Sequence, residues 1–159
     1  MHIVYVHHAN RKKSKTPSQN DDITELGVKD CELVAELLKE SNPKRNFKAI
    51  YTSPFLRCKK TAKLINKYLE IPIIEDERLN EFKSVENESW KACQTRVQNC
   101  LIDIINSNNN SDSFICVTSG VNLAAFTNLA YGIKPNESAP MFAISNCCPI
   151  EFEYNKEDF

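Results

Sequence analysis

The sequence predicts a three-layer α/β domain, a mostly parallel central sheet flanked by helices, with residues 1–159 forming one unit. Three observations lead to that class. Short β-branched, apolar runs alternate with longer helical patterns along the chain. No internal repeat and no linker breaks the alternation. With 159 residues, 42% of them hydrophobic, the chain can bury one sizeable core but not two.

Each element has its own warrant. Residues 2–6 are apolar on both faces, as expected of a strand covered from both sides. Residues 9–22 are polar, contain Pro17 and the pair Asp21-Asp22, and read as a loop. Thr24 caps a helix whose apolar positions are Leu26, Val34, Leu37 and Leu38. Phe47–Thr52 is a second strand. Ser53-Pro54, an N-cap followed by proline at the first helical position, opens a helix to about residue 69. Residues 72–75 form a short third strand, followed by a loop with Arg78, Asn80 and Glu81. A helical pattern runs over 88–105 through Trp90, Val97, Leu101 and Ile105. After a polar turn at 106–112, residues 114–117 make a fourth strand and 121–131 a further helix ending near Gly132. Segments 142–145 and 150–154 are expected as two closing strands.

Composition narrows the function classes. Lys and Arg total 20 against 21 Asp and Glu, a net charge of -1, which argues against a dedicated nucleic-acid binder. No stretch approaches the roughly 20 apolar residues of a membrane span. The first residues, Met1 to Val6, lack the features of a signal peptide, so a cytoplasmic setting is expected. There are seven cysteines, odd in number and scattered through apolar segments, and most of them read as reduced, buried small hydrophobes. Three glycines, at 27, 120 and 132, cannot form a dinucleotide fingerprint or a Walker loop.

In a mostly parallel sheet, ligands collect at the carboxyl ends of the strands. Three segments fall there. His7 and His8 end the first strand, where a histidine could attack phosphorus, ligate a metal, act as a base, or simply occupy a loop. Arg57 lies in the first turn of the helix after Ser53-Pro54, a position suited to an anion, though a single helical arginine is commonly just solvated. Ser119-Gly120 precedes another helix and reads either as an anion contact or as an ordinary cap, the cap being the simpler reading of that position alone. Glu81 could be a general acid or one more carboxylate of an acidic loop. Arg11, Lys12, Lys13 and Lys15 place positive charge in the loop after His8. Metal binding is disfavoured, because His2 is a strand away from His7 and His8, and Cys147-Cys148 are adjacent rather than spaced.

Taken together, these segments resemble the histidine phosphatase superfamily, in its phosphoglycerate-mutase-like branch. The family's opening strand ends in Arg-His-Gly, and here Val4-Tyr5-Val6 leads into His7-His8-Ala9. Its Leu-Thr-x-x-Gly looks like Ile23-Thr24-Glu25-Leu26-Gly27. Its Ser-Pro-x-x-Arg-Ala-x-x-Thr-Ala block is matched closely by Ser53-Pro54-Phe55-Leu56-Arg57-Cys58-Lys59-Lys60-Thr61-Ala62. Its acid region looks like Arg78-Leu79-Asn80-Glu81, and its Glu-Ser…Arg helix like Glu88-Ser89 through Arg96. Where the family reads Ser-His-Gly, this chain reads Thr118-Ser119-Gly120.

The resemblance implies phosphomonoester hydrolysis through a phosphohistidine at His8, with Glu81 protonating the leaving group, and no cofactor or metal. By the same resemblance His7, Arg57 and Ser119 would hold the phosphoryl oxygens. The departures bear on activity. His7 stands where the family has its first arginine, Ser119 where it has its second histidine, and Ala9 follows the nucleophile in place of glycine. A histidine cannot reproduce a permanently charged, bidentate guanidinium. If each lost donor costs roughly 3 kcal/mol, two cost about 6 kcal/mol, or roughly 10⁴-fold in rate. The expectation is therefore a weakened enzyme, the alternative a non-catalytic member that binds a phosphate-bearing ligand or a protein. Only 82–87 fill the gap where many members carry a long lid, so an open site is expected, which suits a phosphoprotein better than a small metabolite that needs enclosure; the expected partner is a phosphorylated small molecule or a phosphoprotein.

Overall fold

The computed structural model describes residues 1–12, 14, 18–83, 86–155 and 157. In chain order the elements are β1 (His2–His7), α1 (Glu25–Arg45), β2 (Phe47–Thr52), α2 (Leu56–Ile65), β3 (Ile73–Glu75), α3 (Trp90–Ser107), β4 (Ser113–Thr118), α4 (Asn122–Ala130) and β5 (Pro149–Glu153). The sheet order is β3-β2-β4-β1-β5. The first four of these strands run parallel, and β5 closes the edge antiparallel to β1. The expected α/β class and mostly parallel sheet are what the chain adopts.

Strand alternation builds the two cores. Along β1, Ile3 and Tyr5 point into a core made with α3 and α4, through Trp90, Val97, Leu101 and Phe126. Val4 and Val6 point the other way, into a core made with α1 and α2, through Cys31, Val34, Leu38, Ala62 and Ile65. All six β4 residues are buried, as befits a strand between two neighbours and two helical layers.

Several elements depart from the sequence reading. Thr24 does cap α1, accepting from the Gly27 amide, but Leu26 and Leu37 are 60% and 51% exposed. The buried face of α1 instead comprises Gly27, Cys31, Val34, Ala35 and Leu38. Gly27 sets that face, because a Cβ there would stand 2.8 Å from the Asn10 carbonyl oxygen. The helix α2 begins at Leu56 rather than Pro54, with Phe55 at its N-cap. Ser53 does not cap it. Its hydroxyl donates to Asn80 Oδ1 at 2.6 Å and accepts from the Phe55 amide at 3.3 Å. Segment 142–145 is irregular rather than a strand; its Ile144 carbonyl is taken up by a side chain of β1.

Candidate active site

The parallel register brings the carboxyl ends of β1, β2 and β4 together. His7 pairs with Thr118, the His8 amide donates to the Thr118 carbonyl at 2.9 Å, and the Ser53 amide to the Val117 carbonyl at 3.1 Å. Residues far apart in sequence therefore meet at one edge.

His8 is 4% exposed and its two ring nitrogens have distinct partners. Nδ1 lies 2.8 Å from the Ala9 carbonyl oxygen, which only accepts, so Nδ1 carries the proton. Nε2 accepts from Arg57 Nε at 3.1 Å and so presents its lone pair. Burial, then the neighbouring His7 and the Arg57 and Arg11 charges, push the His8 pKa down to about 3. The ring is neutral across the physiological range.

Arg57, 2% exposed, is placed by the first turn of α2. Besides His8, its Nη1 donates to the Ser18 carbonyl at 2.9 Å and its Nη2 to Glu81 Oε2 at 2.5 Å. Its backbone carbonyl accepts from Thr61 Oγ1, which in turn accepts from the Ala9 amide at 2.9 Å. Thr61 thus ties α2 to the segment that follows His8.

The acid loop is clamped from behind. Arg96 donates to Glu88 at 2.6 and 2.9 Å and to the carbonyls of Arg78, Asn80 and Glu81. Asn122 Nδ2 donates to the Leu79 and Asn80 carbonyls, and the Thr118 hydroxyl also donates to Leu79. These contacts present Glu81, 43% exposed, to Arg57.

His7 turns to the 144–147 segment. Its Nδ1 donates to the Ile144 carbonyl at 2.8 Å, and its Nε2 accepts from Asn146 Nδ2 at 3.3 Å. Asn146 also donates to the His8 carbonyl at 2.7 Å. Burial pushes the His7 pKa below the ordinary imidazole range, more than the Ile144 and Ser145 carbonyls raise it. His7 is therefore neutral. Its ring packs against Gly120, where a Cβ would meet it at 2.9 Å.

Ser119 is 2% exposed, and its hydroxyl is buried without a hydrogen-bond partner among the described residues. It does not cap α4, whose N-cap is Val121 with no side-chain bond. The Ser119 carbonyl instead accepts from the Tyr5 hydroxyl and the Asn122 amide.

The structure thus joins His8, Arg57 and Glu81 directly, sets His7 edge-on to His8 with ring centroids 4.5 Å apart, and puts Ser119 at the end of the neighbouring strand. The basic loop is partly spent internally. Arg11 pairs with Asp21 at 2.7 Å and Lys12 lies 4.0 Å from Asp22, whereas Lys13 and Lys15 lie outside the described residues. The guanidinium of Arg57 is engaged by the Ser18 carbonyl and by Glu81 as well as by His8. Residues 84 and 85 of the short lid segment lie outside the described residues. Asn146 and the Ser18 carbonyl were not legible in the sequence, since a turn asparagine and a main-chain oxygen leave no periodic signal. Among the described residues no cluster of three or more His, Cys, Asp or Glu could hold a metal, and no helix is long and apolar enough to cross a membrane.

Comparison with known proteins adds family and fold. The model of the histidine phosphatase superfamily (branch 1) matches residues 6–86. No curated protein matches the sequence. Among solved structures, the α-ribazole phosphatase of Shigella flexneri superposes with a TM-score of 0.80 at 16% identity, covering 99% of this chain and 92% of that one. YhfR of Bacillus stearothermophilus gives 0.77 at 18% identity, covering 97% and 91%. The protein histidine phosphatase SixA, complexed with tungstate, gives 0.70 at 19% identity, covering 99% and 90%.

Proposed function

Because the chain belongs to branch 1 of the histidine phosphatase superfamily, we propose that its site acts on a phosphomonoester, with His8 Nε2 as nucleophile, as a phosphatase of weakened turnover. The observation that carries this reading is the bonding of His8. Its proton is fixed on Nδ1 by the Ala9 carbonyl, and its Nε2 lone pair faces the one buried guanidinium of the site. A neutral imidazole held in that tautomer is ready to attack without first losing a proton.

The proposed sequence of steps uses the groups already in contact. A phosphoryl group enters between His8 and Arg57, and its oxygens take over guanidinium donors now used by His8 and Glu81. Nε2 attacks phosphorus, a P–N bond forms and the ester P–O bond breaks. Glu81, freed from Arg57 and protonated, gives its proton to the departing oxygen. Water then attacks phosphorus, passing a proton back to Glu81, and phosphate leaves as the P–N bond breaks. His7 and Ser119 would contribute hydrogen bonds but no charge, and phosphoryl transfer depends mainly on positioning and charge stabilisation. The roughly 10⁴-fold loss expected from two weakened donors is the basis for low turnover. The names of the similar structures, an α-ribazole phosphatase and a protein histidine phosphatase, support a phosphorylated small molecule or a phosphoprotein as the partner.

One observation favours a second reading, a non-catalytic phosphate- or protein-binding member. Every polar nitrogen of Arg57 already has a protein partner, and Glu81 balances its charge. Alkaline quenching after mixing with a phosphomonoester, followed by peptide mass spectrometry, separates the two. Phosphate on the His8 peptide, absent from His8→Ala, is expected for the phosphatase. Reversible phosphate binding with no covalent species would establish the second reading.

A further inference from the structure

All seven cysteines are free thiols, but two of them are not isolated. Cys31 Sγ and Cys147 Sγ lie 3.6 Å apart, joining α1 to the turn after segment 142–145. Neither belongs to the machinery described above, yet both adjoin it. Cys31 sits on the buried face of α1, one turn after Gly27, whose backbone abuts Ala9 and Asn10. Cys147 is partly exposed, and its amide donates to the His7 carbonyl at 3.0 Å. The residue before it, Asn146, donates to both His7 Nε2 and the His8 carbonyl. The pair therefore straddles the end of β1. Cys147 also has φ 50, in the left-handed region that a residue with a Cβ adopts at a cost, so the turn has conformational reason to yield.

We propose that Cys31 and Cys147 are a thiol modification site that closes to a reversible disulfide, with a low-molecular-weight disulfide of the glutathione type as oxidant, and that closure shifts the turn positioning His7 and His8. The first exchange occurs at Cys147, the partly exposed residue of the pair. Its thiolate attacks the oxidant, a mixed disulfide forms, and one small thiol leaves, taking up the proton that Cys147 lost. Cys31 then loses its proton and attacks Cys147 Sγ. The protein disulfide forms, the mixed disulfide breaks, and the second small thiol leaves protonated. Two protein thiols are oxidised and one small disulfide is reduced to two thiols. The mutual contact holds the Cys31 thiol below its ordinary range and, with burial, pushes the Cys147 thiol up, so Cys147 gives up its proton for the first exchange only as its sulfur turns out of the pair toward the oxidant. A disulfide needs its sulfurs about 2.05 Å apart, so closure brings them about 1.5 Å nearer, and the part not taken up by side-chain rotation falls on the turn. That shift of the turn moves Asn146 and the Ile144 carbonyl off the geometry that now fixes the His7 ring.

The bond and the displacement do not depend on the phosphatase reading; only an effect on turnover rests on it. The test equilibrates the full chain in glutathione buffers of increasing oxidation, traps free thiols by alkylation, and maps non-reduced peptides. Expected is one Cys31–Cys147 cross-link, reversed by dithiothreitol, retained in Cys148→Ser and lost in Cys147→Ser. NMR of the histidine rings should show the His7 and His8 signals moving on oxidation of the native chain, with no movement in Cys147→Ser. Because Cys31 is fully buried, Cys147→Ser in the partly exposed turn carries the test even if Cys31→Ala fails to fold. Thiols that stay alkylatable in strongly oxidised buffer would overturn the proposal. So would Cys147 joined to Cys148, or stalled as a glutathione adduct. Cross-linking with unmoved histidine signals would overturn the coupling to the site. Moving signals in a protein that never turns over a phosphomonoester would leave this inference standing and count against the phosphatase reading alone.

Discussion

The guanidinium of Arg57 and the imidazole of His8 share one hydrogen bond, donated by Nε to Nε2 at 3.1 Å, so the unprotonated nitrogen of His8 is the one turned to the arginine. The same guanidinium holds Glu81 at 2.5 Å. The proposed nucleophile and the proposed acid therefore meet through one buried arginine, and four predictions follow from how that arrangement would respond to change.

Restoring the two missing donors should raise turnover. His7→Arg with Ser119→His is expected to increase hydrolysis of a generic phosphomonoester by up to about 10⁴-fold, and each single change by less. The orphaned Ser119 hydroxyl marks where a longer donor would enter, whereas an arginine at 7 must leave the Ile144 carbonyl. Adding His8→Ala should abolish the gain. Steady-state kinetics on the four variants is the measurement; an unchanged rate in a folded double variant would count against the proposed phosphate pocket.

Glu81 should oppose anion binding while serving turnover. Removing its charge with Glu81→Gln frees Arg57 for a phosphate, and a partly screened pair of this kind is worth about 1 kcal/mol, or roughly fivefold in affinity. Calorimetric titration with inorganic phosphate should show tighter binding in Glu81→Gln and loss of binding in Arg57→Ala. Turnover should fall in both.

The two site histidines should make the protein less stable in acid. His8 has a pKa of about 3 in the fold against about 6.5 unfolded, so between those values the unfolded chain binds more protons. Stability contributed by the neutral ring is complete above about pH 6.5 and is lost as pH falls toward 3. The slope approaches about 1.4 kcal/mol per pH unit for one such group. His7, also lowered, acts in the same direction. Urea midpoints between pH 4 and 8 should fall with acidity, less steeply in a folded His8→Asn variant. The His8 ring signals should not titrate above about pH 5.

Arg96 should matter for stability and for acid placement together. It is largely buried, pairs with Glu88 and holds three carbonyls of the acid loop. Arg96→Gln leaves Glu88 without its cation and those carbonyls with fewer donors, a loss of about 3 kcal/mol in urea unfolding. Because Glu81 then loses its support, kcat should fall more than KM changes.

The fold was legible because burial on both faces of each central strand leaves an unbroken apolar run, as in residues 114–117. The Ser53–Ala62 block pointed to Arg57 because helix geometry fixes where a first-turn side chain can reach. What escaped was set by tertiary contact. Leu26 and Leu37 satisfy a helical period yet lie outside, since the close approach of Gly27 to Asn10 rotates α1 onto its smaller side chains. Phe142 and Ile144 alternate like a strand, but that backbone serves His7 instead of a ladder. The contacts that Arg57 makes with the Ser18 carbonyl and Glu81 also escaped, since a main-chain oxygen and a loop carboxylate leave no periodic trace.

The antiparallel closure of the sheet has a consequence for the order of assembly. The strand that ends at His7 precedes both of its sheet neighbours, β4 and β5, by most of the chain's length. His2 must wait for Ser113 on one side and Glu153 on the other. The helical contacts and the parallel β2–β3 pairing of residues 25–75 can form on the ribosome while β1 still has both backbone edges bare. A nascent chain of this topology therefore leaves the apolar run Ile3–Val6 unpaired until β4 and β5 have been made, and contacts so distant in sequence make folding slow. The reactive edge of the molecule is completed in one late step, when β4 and β5 dock on either side of β1.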